Sequence, residues 1–174
     1  MSFGIRRFEQ SDFETLWRID QACFDPQLAY SRPELAFYMR RPSSFTLVAV
    51  SAENGRPGGL GQNRGAVQDQ RTGPGAARIL GFIVAEKPRR TGHIITIDVI
   101  EPARRLGVGS ALLTAAEDRM RKSGAVGVEL ETAVNNEAAI RFYKEKGYFV
   151  EKTVRGYYSN GLDALVMRKG LAAD

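Results

Sequence analysis

The stretch 101-EPARRLGVGSALL-113 sets two arginines directly before a Gly-x-Gly, and a helical apolar pattern begins at once. Glycine admits φ > 0 and close backbone approach. The first N–H groups of a helix have no internal partners, and the helix dipole is positive there. Gly107 and Gly109 at a strand-to-helix junction, with Arg104 and Arg105 on the same turn, therefore suit an anionic group such as a phosphate. The plainer reading is a tight strand–helix turn. Two other phosphate motifs fail. No lysine follows as G-x-x-x-x-G-K-[ST] requires, and Leu112 stands where G-x-G-x-x-G needs its third glycine.

Outward from this stretch, apolar patterns alternate between the two regular periods. Ile5–Phe8, Phe45–Val50, Ile79–Ala85, His93–Ile100, Val126–Ala133, Tyr148–Val154 and Ala164–Arg168 read as strands. Ser11 or Asp12 reads as the cap of a helix carrying Phe13, Leu16, Trp17 and Ile19. Ser31 caps a second helix that has Pro33 early and runs to about Arg40. Gly109–Arg121 and Asn136–Lys146 are the other two helices, ended by Ser123-Gly124 and Gly147. The order β-α-α-β-β-β-α-β-α-β-β predicts an α/β fold: a mixed sheet with helices on both faces. His93–Ile100 and Val126–Ala133 should be parallel neighbours, and the last two strands an antiparallel hairpin. Ser51–Ala77 is rich in Gly, Gln, Asn and Arg. It reads as a disordered loop inserted between two strands, with a lid over a site as the alternative.

The 174 residues predict one domain spanning 1–174. There is one cysteine, Cys23, and one histidine, His93. An intrachain disulfide is excluded, and no metal site is expected. No apolar run reaches the roughly 18 residues of a membrane span, and the first residues do not read as a signal peptide. A cytoplasmic protein without a membrane partner is the expectation. The net charge of +5 comes from scattered arginines, with no basic run interleaved with aromatics. It predicts a solvated surface rather than direct nucleic-acid binding.

The segment 93-HIITIDVIEPARRLGVGSALL-113 resembles the acetyl-CoA-binding motif of the GNAT N-acetyltransferases, [QR]-x-x-G-x-[GA], complete here as Arg104-x-x-Gly107-x-Gly109. Two further segments, 130-LETAVNNEAAIRFYKEKGY-148 and 156-GYYSNGLDALVM-167, resemble the ribosomal-protein-alanine acetyltransferases and their N-terminal acetyltransferase relatives. The resemblance runs in order from about Ile79 to Arg168. It implies the GNAT fold and direct transfer of acetyl from acetyl-CoA to an amine. The implied acceptor is a protein or peptide N-terminus, in a bacterial setting a ribosomal protein. A small amine such as a polyamine or antibiotic, or a lysine side chain, is the alternative acceptor.

Residue by residue, the resemblance assigns the coenzyme's pyrophosphate to the loop Arg104, Arg105, Leu106, Gly107, Val108, Gly109 and Ser110, and its pantetheine arm to the strand at Ile97, Asp98 and Val99. Asn136 matches a coenzyme-binding asparagine and is also a natural helix cap. Tyr143 matches the tyrosine that protonates the departing thiolate. Asn136, Ala139 and Tyr143 share one helix face. Glu131 matches a proposed general base, and His93 is a second candidate for that role. An exposed strand glutamate and a solvent-facing histidine are the plain readings of those two. Phe24, Asp25, Tyr30, Tyr157 and Tyr158 match walls of the acceptor groove. A free α-amine, with a pKa of about 7.7–8.0 against about 10.4 for lysine, is the easier of the two to deprotonate.

Overall fold

The computed structural model describes residues 2–52 and 77–171. The strands are β1 (Phe3–Arg7), β2 (Ser44–Ser51), β3 (Ile79–Glu86), β4 (Thr91–Val99), β5 (Gly127–Ala133), β6 (Phe149–Val154) and β7 (Ala164–Gly170). The helices are α1 (Phe13–Cys23), α2 (Arg32–Arg40), α3 (Val108–Lys122) and α4 (Glu137–Glu145). The strands form one mixed sheet in the order β1-β2-β3-β4-β5-β7-β6. Only the β4–β5 pairing is parallel. The alternation read from the sequence is the alternation observed, with element ends moved by a residue or two. Of the predicted Ser51–Ala77 loop, residues 53–76 lie outside the described residues. Its described ends are tied together: the Ser51 N–H donates to the Arg78 carbonyl at 2.8 Å, and the Arg78 N–H donates to Ser51 Oγ at 2.9 Å.

Period-two alternation assigns the two faces of the sheet. Leu47, Ala49, Ile83, Ala85, Ile94, Val128 and Leu130 pack on one side with Leu112, Leu113, Ala116 and Met120 of α3 and Tyr143 of α4. Val48, Phe82 and Val84 pack on the other side with Leu16 and Ile19 of α1 and Leu35 of α2. Helices therefore cover both faces.

Local chemistry sets the helix starts. Ser31 and Glu34 form a capping box at α2, the Ser31 N–H donating to Glu34 Oε2 at 2.9 Å and the Glu34 N–H to Ser31 Oγ at 3.4 Å. The start of α1 differs from the sequence reading, because Asp12 precedes the helix without capping it. Its carboxylate turns back to accept the Glu9 N–H at 2.8 Å and both ends of the Arg6 guanidinium at 2.7 and 2.8 Å. A two-pronged charged partner outcompetes a single N–H.

Two irregularities shape β4. Val84 pairs with Thr96 and Ala85 with Ile94, so Ile95 bulges. Ile94 and Ile97, an odd number of residues apart, both pack on the α3 side, the re-aiming a bulge produces. Further along, β4 pairs with β5 only from Thr91↔Gly127 to Ile94↔Leu130. Beyond that point β4 runs on to Val99 beside β3 alone, while Glu131–Ala133 of β5 continue to pair with β7. The sheet is open along this seam.

Gly81 holds β3 against β4 next to the seam. A Cβ there would collide with the Asp98 carbonyl and lie 3.1 Å from Val99 Cα, both backbone atoms, whereas a Cβ at Gly4 meets nothing within 4 Å. Gly81→Ala is expected to lower unfolding free energy by about 2 kcal/mol or more in urea denaturation, and Gly4→Ala by less than about 0.5 kcal/mol. Equal effects would show that β3 and β4 do not approach this closely.

Candidate active site

The first part of the site is the start of α3. Arg105 and Gly107 both have positive φ, 61° and 84°, which folds Arg104–Gly107 into a tight turn. No side chain caps α3, and no acid lies in its first turn. The initial N–H groups of the helix are left for an external acceptor. Val108 is buried, anchoring the turn, while Arg105, Leu106 and Gly107 are exposed and Gly109 and Ser110 half-buried. A Cβ at Gly109 would sit 3.6 Å from the Phe142 ring and 3.7 Å from Val99 Cγ2, so this turn nestles against both α4 and the end of β4. Exposed Arg105 and the uncapped helix start fit a pyrophosphate. Arg104 is spent differently: its Nε donates to the Val99 carbonyl at 3.0 Å, and its guanidinium lies 3.7 Å from Cys23 Sγ. It ties the end of β4 to α1.

The second part is the seam. Ile97, Asp98 and Val99 lie on the length of β4 that has no strand on its β5 side. An extended ligand arm can add to such an edge through backbone hydrogen bonds. Asn136 caps α4, its Oδ1 accepting the Ala139 N–H at 3.1 Å. Tyr143 is buried, with its ring 5.5 Å from that of Tyr148. Burial, then Asp98 and Tyr158, push its phenol up, so it keeps its proton at neutral pH. Its hydroxyl makes no hydrogen bond among the described residues. Tyr148 is itself braced, donating to Glu117 Oε1 at 2.8 Å while Lys169 holds Glu117 Oε2 at 2.7 Å.

The third part is on the α1–α2 face. Glu131 is the first residue of β5 past the last β4 pair. His93 Nε2 lies 2.6 Å from Glu131 Oε2, so the two residues left as alternatives by the sequence form one unit. Both side chains are only partly exposed, 28% and 21%. Burial lowers the His93 pKa, but the hydrogen bond to Glu131 and the charges of Glu131, Glu86 and Glu129 outweigh it and raise it. Around this pair stand four tyrosines. Tyr30 and Tyr38 meet edge-on at 5.3 Å and Tyr157 and Tyr158 at 5.0 Å. Burial pushes Tyr158 up to about 12, with Tyr157 and Glu131 adding to it. The Tyr30 backbone is pinned by three hydrogen bonds: its carbonyl accepts from Trp17 Nε1 and Gln21 Nε2, and its N–H donates to Asp20. The loop holding Tyr157 and Tyr158 reaches the loop between α1 and α2, where Ser159 Oγ donates to the Gln27 carbonyl at 3.4 Å. Phe24 follows α1, half-buried, and Asp25 accepts the Gln27 N–H at 3.0 Å.

A model of the acetyltransferase (GNAT) family matches residues 13–148. The chain belongs to that family. An N-alpha-acetyltransferase of Sulfurisphaera tokodaii is 43% identical over 79 residues, 45% of this chain and 47% of that protein. The match spans about half the length of that relative. An uncharacterised N-acetyltransferase of Methanocaldococcus jannaschii is 27% identical over 166 residues, 95% of this chain and 90% of its own. Among solved structures, Ard1 from Thermoplasma volcanium superposes with a TM-score of 0.77 at 27% identity, over 99% of each chain. The GNAT fold expected from the sequence is the fold observed. Among the described residues no group of three or more His, Cys, Asp and Glu could hold a metal ion. Nor is any helix among them long and apolar enough to cross a membrane.

Sequence reasoning missed two buried carboxyls under α1. Asp20 and Asp98 are 0% and 1% exposed, and each leaves its Oδ1 without a partner. Asp20 Oδ2 accepts the Tyr30 N–H at 2.8 Å, and Asp98 Oδ2 accepts Thr96 Oγ1 at 3.2 Å. Burial raises Asp20 to about 6, and burial with the neighbouring Asp20 raises Asp98 well above the carboxylate range. The signal was present: Leu16, Asp20 and Cys23 fall at i, i+4, i+7, so an acid interrupts an apolar stripe. A carboxyl whose folded pKa is raised stabilises the fold most when protonated. The Asp20 contribution is complete below its unfolded value of 3.8 and declines until pH 6, a loss on the order of 3 kcal/mol. Asp20→Asn is expected to flatten the pH 4–6 part of the stability curve in denaturant titrations. An unchanged slope would show that Asp20 is not held protonated.

Proposed function

We propose that this GNAT chain transfers the acetyl group of acetyl-CoA to the N-terminal α-amino group of a protein. The observation that carries the reading is the His93–Glu131 pair at 2.6 Å, located where β4 and β5 part and walled by Tyr30, Tyr157 and Tyr158. The N-alpha-acetyltransferases among its relatives support the same acceptor. The acceptor enters from the α1–α2 face, and the coenzyme from the side of α3 and α4. Backbone of Ile97–Val99 lines the pantetheine arm, Asn136 flanks it, and the turn Arg105–Ser110 receives the pyrophosphate.

The amine must shed a proton before it can attack. An α-amine at a pKa of about 8 needs only a mild acceptor. His93, held by Glu131, takes that proton through water. The amine lone pair then forms the C–N bond at the thioester carbonyl, and the C–S bond breaks. The departing thiolate takes its proton from Tyr143, whose neutral phenol has no competing partner among the described residues, and the second proton shed by the acylated nitrogen passes through water to restore that phenol. Tyr157 and Tyr158, on a loop linked to the α1–α2 loop, close the groove around the first residues of the acceptor.

The deciding measurement is acetyl transfer to peptides with varied first residues, including an alanine-initial ribosomal-protein sequence. Controls are N-blocked lysine peptides, polyamines and an aminoglycoside. Transfer is expected to free N-termini only. Activity confined to lysines or free small amines would replace this reading with the small-amine or lysine alternative.

Substitutions at two positions test the assigned roles. Tyr143→Phe keeps the ring and removes one hydroxyl, so kcat is expected to fall by about 10²–10⁴-fold with acetyl-CoA affinity nearly unchanged. Turnover within about threefold of the parent, with chemistry rate-limiting, would return Tyr143 to a packing role. At Gly109 a Cβ meets only ordinary contacts, so Gly109→Ala should bind coenzyme in calorimetry. Gly109→Glu, which sets a carboxylate on the pyrophosphate path, should not bind it. Equal affinities would place the phosphates elsewhere.

A further inference from the structure

His93 sits between two carboxylates on different strands. Glu131 of β5 meets Nε2 at 2.6 Å, and Glu86 of β3 lies 3.7 Å from Nδ1. Glu86 and His93 are also register partners across β3 and β4. Glu86 is buried, and a buried carboxylate needs a counter-charge. Arg41, the residue that ends α2, provides it at 3.2 Å, and Ser43 Oγ donates at 3.5 Å. Arg41, Glu86, His93 and Glu131 thus form a string of alternating groups from the surface to the seam.

We propose that Glu86 is a positioning residue for the acetyl-transfer base, holding His93 against Glu131, and that Arg41 limits how strongly Glu86 does so. The proposal rests on the reading of His93–Glu131 as the proton acceptor. The physical argument is that a neutral imidazole has one N–H and one lone pair. With an anionic acceptor beside each ring nitrogen, whichever nitrogen carries the lone pair faces a carboxylate. Only the imidazolium satisfies both sides. Glu86 therefore favours the protonated ring in the orientation that keeps Nε2 on Glu131. Arg41, drawing on the Glu86 charge, weakens that preference. Arg41 meets Tyr38 through its backbone, its N–H donating to the Tyr38 carbonyl at 3.4 Å, while the side chains of both residues act on the site through His93.

The other charged groups facing His93 are accounted for. Glu129 on β5 is its register partner and contributes in the same direction as Glu86. Arg168 on β7 lies opposite Glu129 but is engaged by Glu151 at 2.7 Å. The Tyr157 phenol, on the loop between β6 and β7, faces Glu131 and stays neutral.

Because His93 is the only histidine in the chain, its imidazole resonances can be followed by NMR against pH without ambiguity. The experiment compares the parent with Glu86→Gln, Arg41→Gln and the double variant, and measures kcat/KM against pH with an α-amine peptide. Glu86→Gln is expected to lower the His93 midpoint by at least about 0.5 pH unit. Arg41→Gln should raise it by about 0.3 unit, and the double variant should fall between the two. The acid limb of kcat/KM should move with the midpoint in each case. A merely structural role would not produce shifts of opposite sign. Should Glu86→Gln fail to fold, Arg41→Gln at its exposed site carries the test alone.

Midpoints that stay within 0.1 unit, or move in the same direction in both single variants, overturn the proposal and leave the base assignment standing. Midpoints that move as expected while the acid limb stays fixed overturn the base assignment and the positioning role together.

Discussion

Everything in this molecule is arranged around the place where β4 and β5 stop pairing, between Ile94/Leu130 and the residues that follow. Buried backbone N–H and C=O groups demand partners, so an open seam in the middle of a seven-stranded sheet is costly unless something else supplies them. Part of the compensation is internal. The Val99 carbonyl accepts from Arg104 Nε, and the Ile95 carbonyl accepts the Tyr30 hydroxyl at 3.5 Å. The remainder is available to a ligand that can lie as a strand. The seam is a break in the sheet and, in the proposed function, the edge that takes the coenzyme, for the same reason.

The seam also explains how two chemistries coexist. On the α3–α4 side it opens beside an uncapped helix start and a buried neutral tyrosine, suited to an anionic coenzyme and a departing thiolate. On the α1–α2 side it opens beside His93, Glu131 and the paired tyrosines, suited to receiving a cationic amine and removing its proton. The sheet stands between Tyr143 and the His93–Glu131 pair, which are the acid and the base of the proposed reaction. The carboxyls of Asp20 and Asp98 lie under the same region. Burial raises both above the usual carboxylate range, Asp20 to about 6 and Asp98 further.

Local signals located the turns, caps and element order that frame the candidate site. The Gly107-x-Gly109 turn was legible because conformational freedom and helix-terminus electrostatics are properties of a few adjacent residues. The Ser31 cap of α2 was legible for the same reason, and the mixed α/β order followed from apolar period. The start of α1 was misread because Asp12 has a stronger partner, Arg6, on a neighbouring strand. The depth of Asp20 was overlooked, although a single acid in the Leu16–Cys23 stripe announced it. Glu86 and Arg41 gave no signal, since each is an ordinary charged residue near the end of an element.

The sequence by itself determined which elements form, which face of each is apolar, and which residue types stand at the turn and on the α4 face. Those properties depend on backbone periodicity and on neighbours within about one helical turn. Only the tertiary structure decided that His93 and Glu131, 38 positions apart, are one hydrogen-bonded unit. It also decided that Arg104 clamps β4 to α1 while Arg105 faces solvent. Proton affinity and pairing are set by distance and burial in space, and those are fixed by which strands adjoin and where their pairing ends.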